Sequence, residues 1–296
     1  MEENIIISHN DLDGLISAAI ALKFQKNSKI YFTSNLSFKY TFFKVLSKIQ
    51  NFNNIYFFDL SIKEEIAKIS SVLFKKVVWI DHHINERIPN FQNFEIIIDS
   101  KSKSASNLVG NYFNFYSPWI EIVNEIDTNN CKREEAKIIR DYFAYLKIKY
   151  GKLCNKYFSF LAKKILNFSP EEFINKEDVK NSIIEFGKMK KDFEKLIEEN
   201  FEIVKIKNLN VGVLETKNTI PPYIAFEYFK EKDIDFLIII YRGFKGVKLE
   251  FRSIKDIDVH NIAKFFNGGG HFKASGAYIP QNLTKSQILS KIEEIL

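Results

Sequence analysis

The run Ile5-Ile6-Ile7, followed by Ser8-His9-Asn10-Asp11-Leu12-Asp13-Gly14, decides how this chain is read. Three β-branched residues in a row make a buried strand. The apolar stretch from Gly14 to Leu22 that follows the polar segment has the composition of a core helix. The same change recurs downstream, where Tyr56-Phe57-Phe58 runs into Asp59 and Val77-Val78-Trp79-Ile80 runs into Asp81-His82-His83. Runs at Asn4–Ile7, Lys29–Phe32, Asn54–Phe58 and Lys76–Ile80 read as strands, with helices predicted at about 14–25, 37–49 and 62–73 between them. This alternation predicts an α/β fold with a parallel sheet and helices on both faces, joined by a further strand at Glu95–Ile98.

In an open parallel sheet, ligands bind outside the carboxyl ends of the strands, so the three polar segments are expected to meet in one crevice. At least four carboxylates and three imidazoles cannot all be charged there unless cations share the space. Oxygen and nitrogen donors without thiolate favour Mn²⁺ or Mg²⁺, with Co²⁺ or Zn²⁺ as substitutes. A site for two ions is therefore predicted. Each segment also has a plainer reading alone: Asp59 as the N-cap of a helix over Ser61–Ile69, and residues 8–14 as a turn opening a helix. Three such segments at successive strand ends, using three of the five His, argue for the site.

Beyond residue 100 the pattern turns helical, with segments near 104–113, 117–126, 133–149 and 153–166, until Ser169-Pro170 breaks the chain. A helix near 178–200 carries Ile183, Phe186, Met189, Phe193 and Leu196 at helical spacing and reads as a linker. Strand-like runs return at Glu202–Ile206, Val211–Glu215, Asp235–Tyr241 and Val247–Phe251, with helices near 222–231, 258–266 and 284–295. The predicted organisation is a metal-binding domain over 1–176, a linker helix over 177–201 and a smaller α/β domain over 202–296.

The segment at 8–14, Asp59 and Asp81-His82-His83 resemble the first three motifs of the DHH phosphoesterases, and Asp127 in EIVNEID (121–127) stands as the fourth. Phe251-Arg252-Ser253 and NGGGHFKASG (267–276) resemble the DHH-associated domain that captures substrate. The spacing of the first motif is that of the Asp-x-Asp-x-Asp-Gly form of RecJ-like members, with His9 in the first acidic place. The resemblance implies that His9, Asp11 and Asp59 hold one ion. Asp13, Asp59, His82 and Asp127 would hold the other, with Asp59 bridging. It further implies that Asp81 orients a histidine and that His83 contacts the phosphate. Arg252, Ser253, Gly268, Gly269, Gly270 and His271 would bind substrate. Consecutive glycines let backbone N–H groups approach an anion, and Arg252 can fork onto a phosphate.

Composition narrows the classes. At 296 residues and 46% apolar content the chain is expected to be globular, which excludes disorder and a disulfide-stapled scaffold. The net charge of +6 is spread evenly, so it permits an anionic ligand without arguing for one. No apolar stretch is long enough to span a bilayer, Met1-Glu2-Glu3 lacks the order of a signal peptide, and Cys131 and Cys154 show no metal-type spacing. These features predict a cytoplasmic protein with no membrane partner. Three features keep a structural reading beside a functional one. Ser102, Ser104 and Ser106 precede a helix and either cap it or meet a phosphate. The aromatic run Tyr112 to Trp119 either packs a core or stacks bases. His260 reads as a surface or core histidine.

The resemblance implies a manganese-dependent phosphodiesterase releasing 5′-mononucleotides from short RNA or DNA oligonucleotides, in the oligoribonuclease and RecJ-like exonuclease branch. A short substrate is expected because little chain follows the glycine motif. The alternatives are hydrolysis of a small nucleotide, such as 3′-phosphoadenosine 5′-phosphate or a cyclic-dinucleotide product, and a non-catalytic binding scaffold. Oligomeric state is left open, with a homodimer among the options.

Overall fold

The computed structural model describes residues 4–49, 53–85 and 87–296; the Met1-Glu2-Glu3 segment read above lies outside them. The first strands and helices alternate as β1 (Asn4–His9), α1 (Leu12–Phe24), β2 (Ser28–Thr33), α2 (Phe38–Leu46), β3 (Asn54–Phe58), α3 (Glu64–Leu73), β4 (Lys76–Asp81) and β5 (Phe94–Ile98). All neighbouring pairs are parallel, in the order β2-β1-β3-β4-β5. The chain leaves β1 towards β2, then returns past β1 to β3. The strand order therefore reverses between β1 and β3, where a doubly wound sheet opens a ligand crevice.

Crossovers of one hand place helices by the direction of travel, which assigns α2 and α3 to one face of the sheet and α1 to the other. Packing agrees. Ile5, Ile7, Ile55, Phe57, Val77 and Trp79 form one core with Phe38, Phe42, Val45, Ile66 and Ala67. On the other face α1 packs against α4 (Ala105–Tyr112), α5 (Pro118–Asp127) and α7 (Cys154–Ala162). Both faces are covered, so the strands carry continuous apolar runs rather than alternation. The remaining helices here are α6 (Glu134–Tyr150) and α8 (Pro170–Ile174), the latter opened by a capping box between Ser169 and Glu172.

The chain divides into two compact units, residues 1–184 and 185–296, with the division inside the long helix α9 (Glu177–Asn200). The second unit contains β6 (Phe201–Ile206), β7 (Leu209–Thr216), α10 (Pro222–Phe229), β8 (Phe236–Arg242), β9 (Val247–Ser253), α11 (Val259–Phe265), β10 (Gly269–His271), β11 (Ala274–Ile279) and α12 (Lys285–Ile295). Its sheet runs β10-β11-β9-β8-β7-β6 and is antiparallel except between β7 and β8, which α10 connects. Ile238, Ile240, Leu249 and Phe251 pack against Val259, Ile262, Ile288 and Ile292 of α11 and α12. β10 and β11 are not legible as strands in the sequence, because glycines and small residues carry no β-pattern.

Candidate metal centre

β1 ends on His9 and the chain turns at once into α1. Asp11 caps that helix, its Oδ1 accepting the Gly14 N–H at 3.0 Å. The turn is so tight that a methyl group on Gly14 would lie 2.1 Å from the His9 carbonyl oxygen, which only glycine avoids. Buried Ser8 donates from Oγ to the Gly14 carbonyl at 2.7 Å. His9 Nδ1 consequently sits 2.5 Å from Asp11 Oδ2 and 3.3 Å from Asp59 Oδ2.

Asp59 follows β3 in the left-handed region (φ 56°), which aspartate tolerates better than most residues. Its amide donates to Ile80 O at 3.0 Å, and Trp79 Nε1 pins the next residue by donating to Leu60 O at 2.7 Å. Asp59 does not cap α3, where Lys63 occupies the cap position. Its carboxylate is 2% exposed, with Oδ1 3.6 Å from His82 Nε2 and 3.7 Å from His83 Nδ1.

β4 ends on Asp81, which is fully buried. Its Oδ1 lies 2.7 Å from His83 Nδ1, and its Oδ2 accepts from Asn85 Nδ2 at 2.9 Å. His82 turns differently. Its Nδ1 is 3.3 Å from Ser102 O, so Nε2 faces Asp13 Oδ2 at 3.6 Å and Asp127 Oδ2 at 3.4 Å. Asp13 lies in the first turn of α1, and Asp127 ends α5.

Loss of solvent opposes the charges of His9, Asp13, Asp81, His82, His83 and Asp127, and the charges answer one another. Burial pulls His82 down, but hydrogen bonding to Asp59 and the charges of Asp13, Asp127 and Asp59 outweigh it and raise the imidazole to about 11. His9 is raised to about 10 in the same way by Asp11 and Asp59, and His83 to about 9 by Asp81. Burial and the carboxylate of Asp59 push Asp13 well above the usual carboxylate range against the pull of His82. Asp127 is pushed up to about 7 by burial and by Asp59 and Asp11, against His82. Asp81 is held low, because His83 and Asn85 outweigh its burial. Shifts in these directions are those of side chains arranged to surround positive charge.

A divalent cation fits these residues. Ligand-capable atoms of His9, Asp11 and Asp59 lie within 4.8 Å of one another, as do those of Asp13, Asp59 and His82, and those of Asp59, Asp81 and His83. Asp59 belongs to all three groups, and its Oδ2 is a buried carboxylate oxygen without an aligned hydrogen-bond donor. An orphan of this kind is costly unless something positive meets it.

In the second unit, β9 alternates its side chains between faces. Arg252 lies on the face of Glu250, its Nη1 donating to Glu250 Oε2 at 3.1 Å and to Phe251 O at 2.8 Å. Ser253 points to the opposite, core face and is 4% exposed, so the structure does not bring its hydroxyl beside Arg252. Gly270 holds a positive φ of 137°, and a methyl there would meet Ala274 O at 2.6 Å, so this glycine is required by the β10–β11 hairpin. Gly269 faces open space. His260 Nδ1 lies 3.1 Å from Gly270 O, which fixes the glycine turn.

Residues 3–140 match the DHH family, N-terminal domain, and residues 221–296 match the DHHA1 domain. The chain is a DHH-family phosphoesterase. Oligoribonuclease NrnB of Bacillus subtilis (strain 168) is 29% identical to it over 308 residues, covering 93% of this chain and 72% of that protein. Among solved structures, the pGpG-specific phosphodiesterase PggH from Vibrio cholerae aligns with a TM-score of 0.62 at 15% identity, covering 99% of each chain. RecJ from Thermus thermophilus, in complex with Mn²⁺, aligns at 0.60 and 12% identity, over 99% of this chain and 52% of that one. These two likenesses are of fold.

Sequence reading missed several parts of this DHH centre. Asn85 and Ser102 hold Asp81 and His82, and the signal for Asn85 is only its place four residues after Asp81. The α4 N-terminus, read above as a cap or a phosphate site, receives Asp13. Ala105 N and Ser106 N each donate to that carboxylate at 2.7 Å. No spacing rule links residue 13 to residue 105.

Proposed function

We propose that this phosphoesterase hydrolyses short oligonucleotides to 5′-mononucleotides with two Mn²⁺ ions. The carrying observation is the convergence of His9, Asp11, Asp13, Asp59 and His82 at the carboxyl edge of one parallel sheet, with Asp59 shared between the ligand groups and Asp127 reaching His82 Nε2 at 3.4 Å. The likeness to oligoribonuclease NrnB across most of the chain supports an oligonucleotide as substrate. Two divalent ions held there would activate water and stabilise the attacking and leaving oxygens of an in-line displacement at phosphorus.

The protein's own groups do the rest. Asp11, Asp13, Asp59 and Asp127 supply the negative charge that retains the cations. His82, with Nδ1 on the Ser102 carbonyl, presents Nε2 to the carboxylates. Asp81 fixes the His83 ring through Nδ1, so Nε2 is the nitrogen with which His83 would donate to a phosphate oxygen. Arg252, Gly268, Gly269, Gly270 and His271 are proposed to bind substrate, and Ser253 is assigned to their support.

The test strips the purified protein of metal and offers labelled di- to pentanucleotides with and without Mn²⁺. Mn²⁺-dependent release of mononucleotide is expected, with a specificity constant on dinucleotide above that on 3′-phosphoadenosine 5′-phosphate. No release under any metal would refute the proposal, and a preference for the bisphosphate would move the substrate assignment to small nucleotides.

A further inference from the structure

Two of the four side chains assigned to one ion meet a single short segment, residues 102–107, and the helix that carries a third is bonded to the same segment. Asp13 accepts from Ala105 N and Ser106 N, and His82 Nδ1 meets Ser102 O. Asp127 is reached through Asn124, three residues earlier on the same face of α5. Asn124 Oδ1 accepts from Ser104 Oγ at 2.6 Å, and both residues are buried.

Ser104 does more than cap α4. A serine hydroxyl has one donor and two acceptor sites. Asn107 N donates to this oxygen at 3.1 Å, which is the ordinary cap. Ser106 Oγ lies 3.0 Å away and takes the second acceptor site, while the single proton goes to Asn124. Ser102 Oγ donates to Ser104 O at 2.9 Å and is contacted by Asn107 Nδ2 at 3.3 Å, which ties the His82 carbonyl partner into the same network. Capping does not require the bond that crosses to α5, and an apolar residue would fill the place of Asn124 at lower desolvation cost.

We propose that Ser104 and Asn124 are positioning residues that set the spacing of Asp13, His82 and Asp127 around one ion and leave the His9 and Asp11 side alone. This rests on the metal-centre reading above. The Ser104–Asn124 bond registers α4, which receives Asp13, against α5, which carries Asp127.

The experiment titrates metal-free protein with Mn²⁺ by calorimetry, with electron paramagnetic resonance to count bound ions, in wild type, Asn124→Ala, Ser104→Ala and Ser104→Thr. Each alanine variant is expected to weaken one ion about 10–100-fold while the other stays near wild type, and threonine, which keeps the hydroxyl, to restore binding. Where Ser104→Ala fails to fold, Asn124→Ala carries the comparison. Unchanged affinity for both ions, equal weakening of both, or failure of both alanine variants to fold would overturn the positioning role. A wild-type protein that binds no Mn²⁺ overturns the metal reading itself, and is told apart because it needs no variant.

Discussion

Fully buried Asp81 pairs with the partly buried His83, with Asp81 Oδ1 2.7 Å from His83 Nδ1 and Asn85 holding the other carboxylate oxygen. The pair makes His83 a cation at neutral pH although burial opposes its charge. Asp81→Asn keeps the shape and removes the charge. The His83 pKa, about 9, should then fall towards its ordinary value, and the proposed oligonucleotide hydrolysis should lose about 10–100-fold in kcat. Imidazole titration by NMR in metal-free protein checks the first effect, and an unmoved His83 would count against the pairing.

Asp59 belongs to both ligand groups assigned to the ions, so its loss should reach both. At Mn²⁺ concentrations that saturate wild type, Asp59→Asn is expected to bind neither ion. Asp11→Asn should lose only one. Equilibrium dialysis gives the stoichiometry directly, and an Asp59→Asn protein that keeps one ion at wild-type affinity would rule out the bridge.

Protons and metal should compete. In the metal-free centre His9 is raised to about 10 and His82 to about 11, so both imidazoles are protonated at neutral pH and must release protons to ligate. Affinity should therefore rise with pH, by about one log unit per pH unit for each proton displaced. Calorimetry in buffers of different ionisation enthalpy counts those protons. The same shifts stabilise the metal-free fold below the ordinary imidazole pKa, and that contribution is lost progressively as pH rises from about 6.5 until it passes the folded values of about 9 to 11. Its melting temperature should fall across that window, and the fall should be smaller with Mn²⁺ bound.

Arg252 and Ser253 are neighbours in sequence on opposite faces of β9. Arg252→Ala should raise KM for oligonucleotides about tenfold or more, the cost of a charge-assisted hydrogen bond, while Mn²⁺ affinity holds. Ser253→Ala, which alters a buried face, should leave KM near wild type. Steady-state kinetics on a dinucleotide separates the two, and equal effects would contradict the assignment of the faces.

Much of the first unit was legible in the linear sequence. Buried parallel strands declare themselves as apolar runs, and their carboxyl ends are where polar residues must wait for a ligand. That logic reached His9, Asp59 and Asp81-His82-His83. It did not reach the left-handed backbone of Asp59, because an aspartate after a strand reads equally well as a helix cap. Nor did it reach the β10–β11 hairpin, whose Gly269-Gly270 pair looks like a loose turn until its pairing partner is in place.

The sequence by itself determined the alternation of strands and helices, the donor chemistry of oxygen and nitrogen without thiolate, and the positions at which that chemistry enters. These depend on residue type and on periods of two or about 3.6 along the chain. Only the tertiary structure decided which atoms meet: Asp13 on the amides of Ala105 and Ser106, His82 on the Ser102 carbonyl, and Asn124 on Ser104. Those contacts join α1, α4 and α5 across as many as 93 residues, and helix packing on one face of the sheet brings them within hydrogen-bond reach.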